Sequence, residues 1–292
     1  MLELRALITG ADPRQLSFGL ALGIREMVRE LIWRRSRVAV AAQPEPCKRG
    51  ERRVMAESFY IGGYWGDRRE SIEECSRRLT SFLLAISEAS PMLSSWYQKG
   101  NSNTEALRHQ IEINEKGIQG QLVEGRHFAD TGRRVIEELG YTTGMWTGQD
   151  PAAGLSVTCG AFPSTAEVMN HCVLNLPPIC DHRSSSIYVA DVATSIMQSL
   201  ATSWTIDWGA LTNHALRKQQ QPAPRRPVIG WMTYLAASRP VPDSSMPPGV
   251  VVRQLPEGTL IQIGEDPAGV DIGTVMEVRD LLTGCGALEA TM

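Results

Sequence analysis

The residues best suited to chemistry are His171-Cys172 and Cys180-Asp181-His182, which bring imidazole, thiol and carboxylate groups together within twelve positions. These are zinc-ligand types, and zinc bound there would activate water for hydrolysis. The spacing argues the other way. Paired zinc ligands usually stand two or more residues apart, whereas these are adjacent, and Pro177-Pro178 stiffens the segment between the two groups. Buried thiols and loop histidines account for the same residues. Other chemistries lack their motifs: there is no Gly-x-Ser-x-Gly elbow, no Gly-x4-Gly-Lys-Ser/Thr phosphate loop and no His-Glu-x-x-His. Asp191 and Asp207 would serve as an acid–base pair only if the fold brought them together, and the five histidines single out no base. No catalytic residue, metal or cofactor is assigned.

Recognition offers a second kind of site. Tyr64, Trp65, Asp67 and Arg68 form a compact aromatic and charged run, and aromatic rings with arginine dominate the energetics of binding hot spots. These four are the candidate partner-binding residues. They have a structural reading too, with the rings in the core and Arg68 paired to Asp67 to fix a turn. The turn joins a short aromatic strand to a long helix. Alternation puts Phe59 and Ile61 on one strand face and Tyr60 on the other, and Gly62, Gly63 and Gly66 leave bare backbone that a neighbour could approach closely. Asp67 is expected to cap the helix, with Glu70 completing a variant capping box. Apolar residues then recur at Ile72, Cys75, Leu79, Phe82, Leu83 and Ile86, which is helical spacing, while Glu73–Arg77 and Glu74–Arg78 stabilise the solvated face.

The remaining elements frame that turn. A helix is expected over Thr104 to Ile113, and a short one capped by Asp130, carrying Val135, Ile136 and Leu139, stopped at Gly140. Strands are expected over Tyr141 to Trp146, Leu155 to Phe162 and His171 to Leu176, with turn residues between the first two. A strongly periodic helix runs from Ile187 to Ser203. Proline-rich connections bracket a buried strand over Val228 to Ala236. Val250 to Leu255 and Thr259 to Ile263 form a hairpin, and Thr274 with Glu277 caps a last helix that stops at Gly284. The tryptophans at 65, 146, 204, 208 and 231 fall within or at the ends of these elements, where a large ring packs in a core. The class is α+β, a mixed or antiparallel sheet packed with several helices in a single domain.

Charge divides the chain in two. Residues 1–54 hold eleven Lys and Arg against six Asp and Glu, a net of +5, so residues 55–292 hold eighteen against twenty-six, a net of −8. An acidic body is a poor nucleic-acid binder, because phosphate contacts need cationic surface, but it suits a basic protein partner. Residues 1–54 read as a basic extension outside the fold. Arg25, Glu26, Arg29 and Glu30 interrupt its apolar stretch, which therefore fails as a secretory segment. Met55 is the expected native start and 55–292 the domain. No apolar run approaches the ~20 residues of a membrane-spanning helix, and six scattered cysteines read as reduced thiols of a cytoplasmic protein.

Several short runs together resemble one family. Ile61-Gly62-Gly63-Tyr64-Trp65-Gly66-Asp67-Arg68 with the following Ser71 and Cys75, then Glu138-Leu139-Gly140, Asp207-Trp208-Gly209, Gly230-Trp231-Met232-Thr233-Tyr234-Leu235 and Gly258-Thr259-Leu260, stand in the order and spacing of the immunity protein 52 family of bacterial polymorphic toxin systems. The resemblance spans roughly Glu57 to Leu288. It implies an α+β protein that is not an enzyme. Such a protein binds, one to one, a cognate antibacterial nuclease toxin of restriction-endonuclease-like fold, an effector of type VI secretion. The other classes that the sequence leaves open are a metal-dependent hydrolase and an adaptor subunit of a secretion apparatus.

Overall fold

Strand β1 (Phe59–Trp65) runs through the middle of the sheet, and all seven of its residues are buried. A computed structural model describes residues 58–291, apart from 101, 130, 131, 133, 164–167, 180–184 and 243–245. The basic extension 1–54 and the expected start at Met55 lie outside the described residues.

Eight further strands complete the sheet: β2 (Tyr97–Gln98), β3 (Tyr141–Trp146), β4 (Gly154–Cys159), β5 (Asn170–Asn175), β6 (Trp208–Asn213), β7 (Met232–Ala236), β8 (Val250–Leu255) and β9 (Gly258–Ile263). Their spatial order is β2-β3-β4-β5-β1-β6-β7-β9-β8, and every neighbouring pair is antiparallel. The protein is thus α+β, with one antiparallel sheet carrying helices.

Helix α1 (Ile72–Ala89) begins later than the sequence suggests. Ser71, not Asp67, is its N-cap: the Ser71 hydroxyl accepts from the Glu74 amide and the Glu74 carboxylate accepts from the Ser71 amide. Both pairings fit a capping box, but Glu70 is drawn inward to a different task, described below, and Ser71 takes the vacant role. The expected apolar stripe, Ile72, Cys75, Leu79, Phe82, Leu83 and Ile86, is buried. The Thr104–Ile113 helix shrinks to α2 (Asn103–Ala106); beyond it His109 and Ile111 pair through their backbones with β2 and its flank, which holds that segment extended. The next full helix, α3 (Glu115–Glu124), is capped by Asn114 and carries only Ile118 and Leu122 as buried residues. The short helix before Gly140 is a single turn, Glu137–Leu139, and Asp130 lies outside the described residues.

Helix α4 (Ala190–Trp204) buries Ile196, Met197 and Leu200 as expected but starts three residues after Ile187, because Ser185–Tyr188 forms a separate single turn and Val189, exposed, is the N-cap. Helix α5 (His214–Gln220) is capped by Asn213, and α6 (Ile272–Gly284) by Asp271, whose carboxylate accepts from the Thr274 amide in place of the Thr274–Glu277 box. The strand expected over Val228 to Ala236 starts at Met232, because the Gln220 amide side chain clamps the backbone of Ile229 before it can join the ladder. Among the described residues no helix is long and apolar enough to cross a membrane.

The sheet's two faces are covered unequally. On one face α1, α3 and α4 close a continuous core that includes Ile61, Trp65, Leu79, Val157, Leu174 and Trp204. On the other, α5 and α6 bury a smaller cluster around Tyr64, Trp208, Ala210, Leu235 and Ile261, and this cluster contains no buried side chain of β2, β3 or β4. Among the described residues no helix lies over that half of the second face.

Candidate functional site

The candidate residues sit where β1 ends and turns toward α1. Strand alternation sends Tyr64 and Trp65 to opposite faces. Trp65 enters the large core and stacks on Trp204 at 4.9 Å between centroids and 20° between planes. Tyr64 faces the half-covered side and stacks on Trp208 at 4.2 Å and 21°. The two neighbouring glycines permit both placements. A Cβ on Gly62 would stand 2.7 Å from the Tyr64 hydroxyl, and one on Gly63 2.7 Å from a Leu200 methyl, so the Tyr64 ring folds over one glycine and α4 seats on the other.

After the strand, Asp67 is exposed and Arg68 half-buried. Asp67 does not pair with Arg68. Its carboxylate accepts from Arg225 Nη2 at 2.7 Å, and the same nitrogen donates to the Val168 carbonyl at 3.1 Å. Arg68 turns to the C-terminus of α4, donating to the Trp204 carbonyl at 2.8 Å with its guanidinium 5.4 Å from the centre of the Trp65 ring. Arg78 on α1 donates to the neighbouring Ser203 carbonyl at 2.9 Å. Between the two arginines lies Glu70, buried, with Oε1 2.7 Å from Arg78 Nε. Its Oε2 is 3.1 Å from Arg68 Nε, an ion pair whose angle falls short of a hydrogen bond. Two cations thus cap the electronegative end of α4, and one buried carboxylate holds both in place. Sequence reasoning missed this clamp, because Glu70 matched the capping pattern and the partner carbonyls lie more than a hundred residues away.

Beside the turn, the open half of the sheet presents a polar surface. Register places Thr142, Ser156, Thr158, His171, Val173 and Asn175 on the same side as Tyr60 and Tyr64. His127 Nε2 lies 3.0 Å from Thr142 Oγ1, which is 3.3 Å from Thr158 Oγ1. His171 follows opposite Thr158, donating from Nδ1 to the Met169 carbonyl at 3.0 Å, and its ring centroid is 6.4 Å from that of Tyr64. Burial lowers the His171 pKa below its ordinary value, more than that hydrogen bond raises it. At the border with α5, Arg217 Nη1 reaches the Tyr60 hydroxyl at 3.4 Å. Burial, with the nearby Tyr60, pushes the Tyr64 phenol upward. Burial would lower the Arg217 guanidinium, but the hydrogen bond to Tyr60 and the proximity of both phenols raise it. Arg217 and His214 could not have been tied to the turn without the sheet order, which sets β6 against β1.

The zinc-type group does not gather around one point. Adjacent residues of a strand face opposite ways, so His171 looks onto the open face while Cys172 is enclosed in the core, where burial raises its thiol pKa. Cys180, Asp181 and His182 lie outside the described residues. Among the described residues no three His, Cys, Asp or Glu side chains are placed to hold a metal ion. Asp191 stands in the first turn of α4 and Asp207 beyond its other end, so nearly the whole of a fifteen-residue helix about 22 Å long lies between them and they cannot act on one substrate atom.

Comparison with known proteins bears on the body of the chain. The family profile described as immunity protein 52 matches residues 57–291. Among solved structures, the Pseudomonas aeruginosa T6SS protein PA0821 superposes with a TM-score of 0.47 at 11% identity, covering 78% of this chain and 73% of that one. No curated protein matches the chain. The family match takes in both sides of the sheet, the clamp and the open face, and the chain belongs to the immunity protein 52 family.

Proposed function

We propose that this protein is a cytoplasmic antagonist of a type VI secretion nuclease toxin of restriction-endonuclease-like fold, acting by one-to-one binding and not by catalysis. The family match carries the reading, since an immunity protein works by engaging its cognate toxin. The net charge of −8 over residues 55–292 supports a basic partner. A nuclease presents a cationic groove to nucleic acid, and an acidic inhibitor competes for it, either covering the active-site face or holding that site in an inactive shape. Within the body, the turn at Tyr64, Trp65, Asp67 and Arg68 is the proposed contact. Asp67 and Arg68 would touch the partner, while Tyr64 and Trp65 hold the backbone beneath them. Residues 55–292 are the proposed binding unit, with 1–54 dispensable.

The test is co-purification of the chain with the product of the neighbouring gene, followed by stopped-flow association from about 50 to about 500 mM salt. Steering of this kind brings association toward ~10⁸ M⁻¹s⁻¹ at low salt, falling steeply as salt screens it. Dissociation should change little, a non-cleavable DNA duplex should compete, and a chain starting at Met55 should behave alike. Absence of any complex would end the antagonist reading; a salt-insensitive on-rate with simultaneous DNA binding would leave inhibition from a remote surface.

A further inference from the structure

The open half of the sheet has the chemistry of an anion receptor. Of the side chains that register places there, from Tyr97 and Trp146 across to Tyr60 and Tyr64, none is Asp or Glu, in a body whose net charge is −8. Cations border it instead. Lys99 extends its ammonium over Gly144 on β3, and Arg217 and His214 stand exposed at the α5 border, with the His214 ring 5.5 Å from that of Tyr60. Arg217 and Lys99 make no ion pair among the described residues; Arg217 has only phenols beside it. A guanidinium presents five donors in a planar fork that matches a carboxylate. The Tyr60 and Tyr64 phenols together leave part of that fork unused.

We infer that Arg217, with the Tyr60 and Tyr64 phenols beside it and His214 on the same α5 border, is the receptor for a carboxylate on an acidic segment of the cognate toxin, which lies across the open sheet face toward Lys99. The inference rests on the antagonist reading and locates its contact chemistry. Long-range attraction between an acidic body and a basic toxin sets the encounter rate, and the acid-free face then fixes how the two proteins orient. Tyr64 links the two regions from beneath, since it is buried at the end of β1 beside the turn and its hydroxyl interacts with Arg217.

The experiment uses the full chain and the complex obtained by co-expression with the neighbouring gene's product. Labelled wild-type chain is exchanged against unlabelled variants, which ranks their affinities without isolating a free toxin. Arg217→Ala should bind at least ~30-fold more weakly, as expected for a hot-spot arginine, with its melting temperature unchanged. Arg217→Lys keeps the charge but not the fork, so it should bind more weakly than wild type and more tightly than Arg217→Ala, and zero-length carbodiimide coupling of its complex should join position 217 to an Asp or Glu of the partner. The inference is overturned if Arg217→Ala competes as well as wild type, or if the Arg217→Lys complex forms and yields no cross-link from that position; in both cases the antagonist reading stands. Failure of the wild-type chain to form any complex removes that reading and this inference together.

Discussion

Strands β3, β4 and β5 show two characters one residue apart. On the helix-covered face they offer Met145, Leu155, Val157, Cys172 and Leu174, all buried. On the open face, the intervening positions are Thr142, Gly144, Ser156, Thr158 and His171. The alternation is that of an antiparallel sheet with one face on a core, yet the strands on the other side of β1 depart from it. There Ala210, Leu235 and Ile261 are buried on the second face as well, under α5 and α6. Among the described residues, half of the sheet packs helices on both sides and half on one. Substitutions on the two faces should therefore differ in what they cost in stability.

The largest difference is expected between two tryptophans. Trp204 is fully buried and stacked on Trp65, so Trp204→Ala should cost about 3–5 kcal/mol through lost burial and the cavity left behind. Trp146 is half-buried on the open face, stabilised by a hydrogen bond of 3.1 Å from Nε1 to the Gln98 carbonyl; Trp146→Ala should cost roughly 1–2 kcal/mol, the transfer of a partly exposed ring. Urea unfolding of both variants measures the contrast. Equal losses would mean that the open face is packed as tightly as the closed one.

A smaller but sharper contrast lies at the turn. Glu70→Gln removes the charge that holds Arg68 and Arg78 against the end of α4, and breaking a buried pair from one side costs about 3 kcal/mol. Arg69–Glu137 is the control: its side chains are 71% and 70% exposed at 3.3 Å, and Arg69→Ala should fall within ~0.5 kcal/mol of wild type. The same urea series reads both. A Glu70→Gln variant as stable as wild type would show that the arginines hold the α4 carbonyls without the carboxylate between them.

Much of this architecture is readable from local pattern. The α1 stripe, the α4 periodicity, the hairpin of β8 and β9 and four of the five tryptophans expected in the core follow from periods of 3.6 and 2, which depend on neighbours in sequence; Trp146 is the exception, only half-buried because its side of β3 carries no helix among the described residues. What could not be read depends on distant partners. Ser71 caps α1 because Glu70 is claimed by Arg78 and by Arg68, itself anchored to α4. The sequence predicts no strand over Trp208–Asn213, because Gly209 and Ala210 weaken the β signal there and the place of β6 is set by β1 and β7. The candidate turn was identified from residue types, but the separation of Tyr64 from Trp65 across the sheet gained meaning only once the covered half of each face was known. Arg217 carries no sequence signal; it lies in a polar helix, and its neighbours Tyr60 and Tyr64 are about 150 residues earlier.

The smallest expected effect tests how dry the open face is beside Tyr64. His171 sits there with its pKa lowered, chiefly by burial, so the folded protein disfavours the imidazolium. The unfolded chain has no such restraint and takes up the proton near the ordinary histidine value of about 6.5. Below that pH the unfolded state binds more protons than the folded one, and stability must fall as pH falls; above it, both states are neutral at this site and the contribution is complete. The expected result is a stability that rises with pH through the window just below 6.5 and levels off above it. His171→Asn, which keeps a side-chain donor for the Met169 carbonyl without a titrating ring, should flatten that rise while leaving untouched the separate acid loss below the ordinary glutamate range, where the Glu74 carboxylate lowered by its Ser71 hydrogen bonds becomes protonated. Urea midpoints of both proteins at intervals between about pH 2 and pH 8 resolve the two windows. If the wild-type curve is already flat just below 6.5, water reaches His171 freely and the open face is wetter at its Tyr64 end than the burial of that residue indicates.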